Sequence, residues 1–143
     1  MSTKQIVYSL EDLPVIVEML YRLMPHYKVF TFTGTLGAGK TTLVRELLRR
    51  AGVKDVITSP TFTYVNVYEN DMGQTFYHFD AYRIKTLADF QAAGFDEYLY
   101  QQNSWAFIEW PEMLMPLLTH DVCHVKLEYA ENKRLITIED GSK

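Results

Sequence analysis

Residues 34–41 read Gly-Thr-Leu-Gly-Ala-Gly-Lys-Thr, a glycine-rich loop of the kind that cradles phosphate groups. The apolar residues 29–33 before it predict a buried strand, and residues 42–51 after it carry apolar side chains at helical spacing. The glycines let the backbone curl so that successive N–H groups face phosphate oxygens, and the helix adds the positive end of its dipole. Strand, loop and helix in this order restrict the chain to an α/β fold built around a nucleotide-binding loop.

The backbone of the loop and the side chains at its end, Lys40 and Thr41, are expected to bind different groups. We expect the backbone of Gly37, Ala38 and Gly39 to surround the phosphates. The ammonium group of Lys40 should reach the β- and γ-phosphates, and the hydroxyl of Thr41 should bind Mg²⁺.

Composition and charge narrow the class of protein. The chain has 143 residues, of which 48% are hydrophobic and 22% charged, and we expect one globular domain over residues 1–143. No apolar run has the length of a membrane span, no signal-peptide core follows the first residues, and one cysteine, Cys123, excludes an internal disulfide framework. These features predict a cytoplasmic protein that does not contact membranes.

The formal net charge of −4 argues against independent binding to nucleic acid, which requires a basic surface. One basic cluster is present on the helix after the loop and just beyond it: Arg45, Arg49, Arg50 and Lys54. It could contact RNA or an acidic partner, but the pattern favours a solvated helix face with cations near the C-terminal end of the helix.

Further elements follow from periodicity and from turn residues. Strands are predicted at residues 4–8, 62–69, 75–80, 105–110, 124–129 and 134–139. A helix follows Ser9 or Asp12, and shorter helices are predicted at residues 87–93, 96–101 and 111–118. The mixture predicts a single P-loop NTPase domain whose mixed sheet is parallel at its centre, antiparallel at its margins and flanked by helices.

Two predicted strands end in an acid, which a nucleotide hydrolase needs beside its phosphate loop. They end at Asp80 and Glu109. His78 shares a predicted strand face with Asp80, so it either orients that carboxylate through a hydrogen bond or is an ordinary core histidine. Residues 58–62, with several hydroxyls around a proline, are either a segment that closes over the γ-phosphate or a plain turn.

Four segments together resemble the signatures of the TsaE (YjeE) family, the small bacterial ATPases of tRNA threonylcarbamoyladenosine biosynthesis. They are Leu36-Gly-Ala-Gly-Lys-Thr-Thr42, Thr58-Ser-Pro-Thr-Phe62, His78-Phe-Asp-Ala-Tyr-Arg83 and Phe107-Ile-Glu-Trp-Pro-Glu112. Their order and spacing match the family from residue 5 to about residue 138. The second and fourth segments are not general features of phosphate loops, which makes the resemblance specific.

The resemblance implies a Mg²⁺-dependent ATPase that is weak alone and is activated by partner proteins. It would bind the TsaB–TsaD pair, which transfers threonylcarbamoyl to adenosine 37 of tRNA, and ATP hydrolysis would support turnover of that pair. Contact with tRNA would be indirect. ATP or ADP and Mg²⁺ are the implied cofactors.

The resemblance also implies roles for individual residues. Lys40 and Thr41 would hold phosphates and Mg²⁺ with support from Thr42, and Glu109 would be the metal-side acid. Asp80 would position water or provide a second link to Mg²⁺, and Thr61 would sense the γ-phosphate. Three further side chains keep more than one interpretation. Tyr82 and Trp110 pack either near the nucleotide or in the core. Arg83 neutralises phosphate charge, pairs with an acid of the partner proteins or forms a structural salt bridge.

Other classes of protein share the same loop. A small-molecule kinase closes an arginine-rich lid over the phosphates, and this chain offers only Arg83 and Lys85 in a suitable place. A signalling GTPase needs Asn-Lys-x-Asp, whereas no acid follows Asn132-Lys133 here. A nucleotide-binding adaptor with little hydrolysis of its own differs from the favoured function only in degree.

Overall fold

The computed structural model describes residues 2–35, 37–58, 60 and 64–142. Residues 141 and 142 are described only by their backbone. Seven strands are found among the described residues, and they are β1 (Thr3–Tyr8), β2 (Val29–Gly34), β3 (Val65–Glu69), β4 (Thr75–Asp80), β5 (Ser104–Glu109), β6 (Val122–Ala130) and β7 (Lys133–Ser142). They form one sheet in the order β1-β7-β6-β2-β5-β4-β3.

The direction of the strands changes from the centre of the sheet to its margins. β2 pairs in parallel with both β5 and β6, and β4 pairs in parallel with β5. The outer pairs β1–β7, β6–β7 and β3–β4 are antiparallel. The predicted mixed sheet is therefore confirmed. The central strands are buried on both faces, which is why they read as continuous apolar runs.

In the described part of the chain, three α-helices accompany the sheet, namely α1 (Leu13–Leu23), α2 (Lys40–Arg50) and α3 (Leu87–Ala92). A 3₁₀ turn at Leu10–Asp12 leads into α1, so the chain begins to coil after Ser9 and becomes α-helical after Asp12, where Pro14 fits the first turn. Two more 3₁₀ segments, Phe95–Tyr98 and Glu112–Leu117, replace the predicted helices at 96–101 and 111–118. No described helix is long and apolar enough to span a bilayer.

Apolar side chains cover both faces of the sheet. On one face, Phe30 and Phe107 pack against Leu20 of α1 and Leu47 of α2. The same layer contains Cys123, which is fully buried on β6. On the other face, α3 and the segment Glu112–Leu117 cover residues of β4 and β5. Each buried leucine or phenylalanine contributes about 1.5–3 kcal/mol, so the two layers fix the sheet and the strand ends that it presents.

Two strand boundaries differ from the prediction because of backbone geometry. The strand predicted to reach residue 110 ends at Glu109, since Trp110 has a φ of 57°, in the left-handed region that extended chain cannot adopt. The strand predicted from residue 62 is observed from Val65, after Tyr64 with a φ of 64°. Residues 62 and 63 lie outside the described part of the chain.

Candidate active site

The glycine-rich loop runs from the end of β2 to the start of α2. Gly37 and Gly39 have φ values of 82° and 100°, which β-carbon-bearing residues rarely adopt, and Gly39 caps the helix that begins at Lys40. Ala38 is buried between them and its N–H donates to the Thr35 carbonyl at 3.1 Å. Leu36 lies outside the described residues.

Strand β6 supports this loop at two points. Gly34 approaches β6 so closely that a β-carbon there would overlap the carbonyl oxygen of Leu127. Two residues further along β6, the hydroxyl of Tyr129 donates to the Gly37 carbonyl at 2.7 Å, and the guanidinium of Arg134 lies 4.2 Å from the Tyr129 ring centroid. The base of the loop and one of its turns are therefore both held from the same strand.

Lys40 points back over the loop and into the site. Its ammonium donates to the carbonyls of Gly34 at 2.6 Å and Thr35 at 3.4 Å, and it lies 3.7 Å from the centroid of the Trp110 indole. Burial lowers the pKa of Lys40, while the carboxylates of Glu109, Glu112 and Asp80 act in the opposite direction. The acids therefore favour the charged form of a partly desolvated ammonium group.

The two acids meet at the carboxyl ends of adjacent parallel strands. Asp80 of β4 and Glu109 of β5 are partners in register. The Thr41 hydroxyl donates to the Glu109 carboxylate, with distances of 2.8 Å to Oε1 and 3.0 Å to Oε2. Asp80 accepts the N–H of Tyr82 at 3.0 Å. Burial raises the pKa of Asp80, and the neighbouring Glu109 charge raises it further, against the lowering effect of the Tyr82 N–H.

His78 contacts Glu109 rather than Asp80. Its Nε2 lies 2.6 Å from Glu109 Oε2, and both side chains are buried. In the parallel pairing His78 is opposite Phe107, so Glu109, two residues further along β5, is its diagonal neighbour on the same face. Sequence alone places His78 and Asp80 on one face, but only the strand order shows which acid the imidazole reaches.

A cavity of about 280 Å³ joins these groups. It is lined by Gly37, Gly39, Lys40, Thr41, Thr42, Asp80, Glu109 and Trp110. The structure thus brings the sequence-predicted site residues together, except that Ala38 is buried behind the lining and Thr61 lies outside the described residues. Tyr82 is exposed rather than in the core, with its ring 4.8 Å from that of Trp110.

Sequence inspection misses two contacts of this site, His78 with Glu109 and Tyr129 with Gly37. The residues of the second pair are 92 positions apart, and no local pattern marks Tyr129 as different from other strand tyrosines. Both contacts depend on which strands are neighbours, and that could be deduced only from a known sheet order.

The donor set fits Mg²⁺ held jointly with a nucleotide. Within the described residues no group of three or more His, Cys, Asp or Glu side chains could form a metal cage. Mg²⁺ is commonly held by one or two protein oxygens plus substrate phosphates and water. Thr41 Oγ1 and Glu109 Oε1 are 2.8 Å apart, close to the roughly 3 Å that separates neighbouring oxygens on an octahedral ion with bonds of about 2.1 Å.

The sequence as a whole has identifiable relatives. The family model for the threonylcarbamoyl adenosine biosynthesis protein TsaE matches residues 7–136. A tRNA threonylcarbamoyladenosine biosynthesis protein TsaE from Rickettsia felis is 34% identical over 134 residues, covering 92% of this chain and 77% of that protein. The protein of the same name from Haemophilus influenzae is 34% identical over 122 residues, covering 85% of this chain and 76% of its own length.

The fold has a relative among solved structures as well. The crystal structure of YdiB from Bacillus subtilis superimposes with a TM-score of 0.69 at 27% identity, covering 98% of this chain and 88% of that one. Sequence family and structural neighbour agree, and the chain belongs to the TsaE family.

Proposed function

We propose that this chain is a Mg²⁺-dependent ATPase that binds the TsaB–TsaD pair and hydrolyses ATP to support turnover of that pair. Membership of the TsaE family gives the chain a role in tRNA threonylcarbamoyladenosine biosynthesis, and its P-loop NTPase fold supports ATPase activity. The observation that carries this proposal is the convergence of Lys40, Thr41 and Glu109 on one cavity at the phosphate loop.

The phosphates would lie against the loop backbone, with Lys40 as the side-chain cation. The Lys40 ammonium has three protons, and the Gly34 and Thr35 carbonyls now accept from it. A phosphate oxygen with a full negative charge is a stronger acceptor than either carbonyl. A modest rotation of the side chain would therefore exchange a backbone acceptor for the β- and γ-phosphates.

Thr41 and Glu109 would hold the metal, directly or through a bound water. When bound, Mg²⁺ neutralises charge on the β- and γ-phosphate oxygens during transfer to water. Asp80 lines the cavity beside Glu109, and its carboxylate would orient the attacking water or make a second link to the metal. Thr61 remains a proposed sensor of the γ-phosphate.

Trp110 and Tyr82 would form the rim of the nucleotide site. Trp110 lines the cavity, and Tyr82 is exposed beside it. Adenine over guanine is supported by the family and by the lack of an Asn-Lys-x-Asp motif. The net charge of −4 supports contact with tRNA only through the partner proteins.

Phosphate release from Mg·ATP and Mg·GTP tests the proposal, first with this chain alone and then with purified TsaB–TsaD. We expect slow release from ATP that rises sharply when the pair is added, and little release from GTP. Lys40→Ala should lower ATP turnover about 100-fold or more, because it removes the side-chain cation of the loop. Lys133→Ala, at an exposed lysine outside the cavity, is the matched control and should retain wild-type turnover.

Each arm of this experiment addresses one part of the proposal. Turnover that persists in Lys40→Ala would remove the loop from the mechanism. Turnover indifferent to TsaB–TsaD would overturn the assigned partner, and equal release from GTP would overturn the preference for adenine.

A further inference from the structure

His78 is a buried polar side chain that has no role in the proposed mechanism. We propose that His78 is a positioning residue, which holds the Glu109 carboxylate in the orientation that binds Mg²⁺. This inference rests on the metal-binding role of Glu109 in the proposed function, and it adds a residue that acts on the metal through that carboxylate.

The contact between the two side chains is short and excluded from water. His78 Nε2 and Glu109 Oε2 are 2.6 Å apart, and His78 is fully buried while Glu109 is only 3% exposed. A buried carboxylate that keeps its charge must accept hydrogen bonds to offset the loss of water. Within the described residues, Glu109 accepts them from Thr41 on α2 and from His78 on β4.

The hydrogen-bonding capacity of the imidazole indicates which nitrogen carries the proton. An ionised carboxylate only accepts hydrogen bonds, so Nε2 must be the donor to Glu109. The other ring nitrogen, Nδ1, is buried and has no hydrogen-bond partner among the residues that the structure describes. An Nε2–H tautomer leaves only a lone pair unsatisfied at Nδ1, whereas a proton there would leave a buried N–H group without an acceptor.

The arrangement fixes Glu109 from two sides. The Thr41 hydroxyl has one proton, which lies within reach of both carboxylate oxygens. Thr41 alone therefore does not select one orientation of the carboxylate. His78 contacts Oε2, so the oxygen nearer to Thr41 Oγ1 is Oε1, at 2.8 Å. Partners that orient a metal ligand in this way typically change metal affinity 10- to 100-fold when they are removed.

A purely structural histidine would give a different result on substitution. Replacing it by an apolar side chain would lower thermal stability without changing the affinity of the folded protein for metal. A positioning histidine predicts loss of metal affinity, and it predicts recovery by any side chain that returns an N–H donor to the Nε2 position. Gln fulfils this condition, because its amide nitrogen reaches about as far from the backbone as His Nε2.

The test measures binding of Mn²⁺, a probe visible by electron paramagnetic resonance, to the protein with ADP. Wild type, His78→Leu, His78→Gln and Glu109→Gln are compared at a temperature where thermal melting shows each to be folded. We expect His78→Leu to weaken Mn²⁺ binding about 10- to 100-fold and His78→Gln to recover most of the affinity. ADP binding in EDTA should be the same in wild type, His78→Leu and His78→Gln.

A second readout on the wild type requires neither metal nor a variant. Nitrogen-15 chemical shifts of the imidazole report the tautomer, and we expect Nε2–H with its proton shifted downfield by the short hydrogen bond to Glu109. An Nδ1–H tautomer would contradict the inference even if His78→Leu failed to fold.

The outcomes separate this inference from the function on which it rests. If wild-type protein with ADP binds no Mn²⁺, the proposed metal site itself is wrong, and the role of His78 at that site falls with it. If the wild type binds Mn²⁺ and folded His78→Leu binds it equally well, only the role of His78 is overturned. Equal losses in His78→Leu and His78→Gln would also overturn it, since the donor would then be irrelevant.

Discussion

The indole of Trp110 contacts both Lys40 and Tyr82. The Lys40 ammonium is 3.7 Å from the indole centroid, and the ring of the exposed Tyr82 is 4.8 Å from it. A cation–π contact of this kind contributes about 0.5–2 kcal/mol, less than the attraction of the same ammonium to a polyphosphate. Phosphate binding should therefore draw Lys40 away from the ring and change the environment of the indole.

This displacement predicts a fluorescence signal that belongs to Trp110. In a Trp105→Phe background, which leaves Trp110 as the sole tryptophan, ADP should change the emission intensity, and Lys40→Met should change it without any ligand. Trp110→Phe is the control, because it leaves only Trp105. The Trp105 indole donates to the Met24 carbonyl and stacks on Phe76, outside the lining of the cavity. A response to ADP that survives in Trp110→Phe would show that the signal arises elsewhere.

Single residues of the site were predictable where their signal is local. Lys40 and Thr41 follow from the loop motif, and Asp80 and Glu109 follow from their places at strand ends. The left-handed backbone of Trp110 was not predictable, since nothing in an Ile-Glu-Trp-Pro string marks a positive φ. That conformation is what turns the indole out of the strand and over Lys40.

At the scale of elements, the close contact between β2 and β6 decides how firmly the loop is held. Gly34 ends β2 with a φ of 139° and packs directly against the backbone of Leu127. A side chain there would have to displace β6 or the loop, because a carbonyl oxygen within a sheet cannot rotate aside. The glycine thus sets the distance between the phosphate loop and the strand below it.

Gly34→Ala should lower the free energy of unfolding by about 2–6 kcal/mol. About 1–3 kcal/mol comes from the unfavourable backbone conformation and about 1–3 kcal/mol from overlap with Leu127. Gly73→Ala is the matched control, since Gly73 also has a positive φ, of 75°, but open space around it. It should cost only the conformational part, about 1–2 kcal/mol. Equal losses in urea unfolding of the two variants would rule out the steric contribution of β6.

The elements themselves were largely predictable, and their ends were predictable only where turn or capping residues mark them. The spans Thr75–Asp80 and Leu87–Ala92 agree with the predicted spans to within one residue, since turn or capping residues mark their limits. The helix predicted at residues 96–101 is a single 3₁₀ turn, Phe95–Tyr98, because Leu99 is extended and Tyr100 has a positive φ. Such a short segment has too few residues for periodicity to distinguish the two helix types.

At the scale of the whole molecule, the order of the strands creates the site. β2, β5 and β4 are adjacent and parallel, so their carboxyl ends carry the loop, Glu109 and Asp80 side by side. Antiparallel pairs extend the sheet on both sides of this centre.

On one of these sides, His124 of β6 is half-buried, with Nδ1 2.6 Å from the Thr31 hydroxyl.

His124 makes the stability of the fold depend on pH. Burial lowers its pKa, partly opposed by the charge of Glu139, so the unfolded chain takes up a proton at higher pH than the folded one. Stability is therefore fully present above about pH 6.5 and falls as the pH drops through the folded pKa, with a slope below about 1.4 kcal/mol per pH unit. Urea unfolding between about pH 5 and 7.5 should show this decline, and His124→Gln should flatten it.

An exposed histidine provides the control for this measurement. His26→Gln should leave the pH profile as steep as in the wild type, because His26 is exposed to water in the folded protein. A profile that stays equally steep in His124→Gln would assign the decline to other groups.

The burial of Cys123 has a consequence for chemical labelling. The thiol is fully buried, and burial raises its pKa to about 12, so that only about one molecule in 10⁵ carries the reactive thiolate at neutral pH. Maleimides and disulfide reagents should therefore not react with Cys123 in the folded protein. A surface position such as Val56, 85% exposed, could then receive a probe through Val56→Cys in the otherwise unaltered chain. Dyes, spin labels or tethers could be attached at one chosen point while the native thiol stays buried in the core.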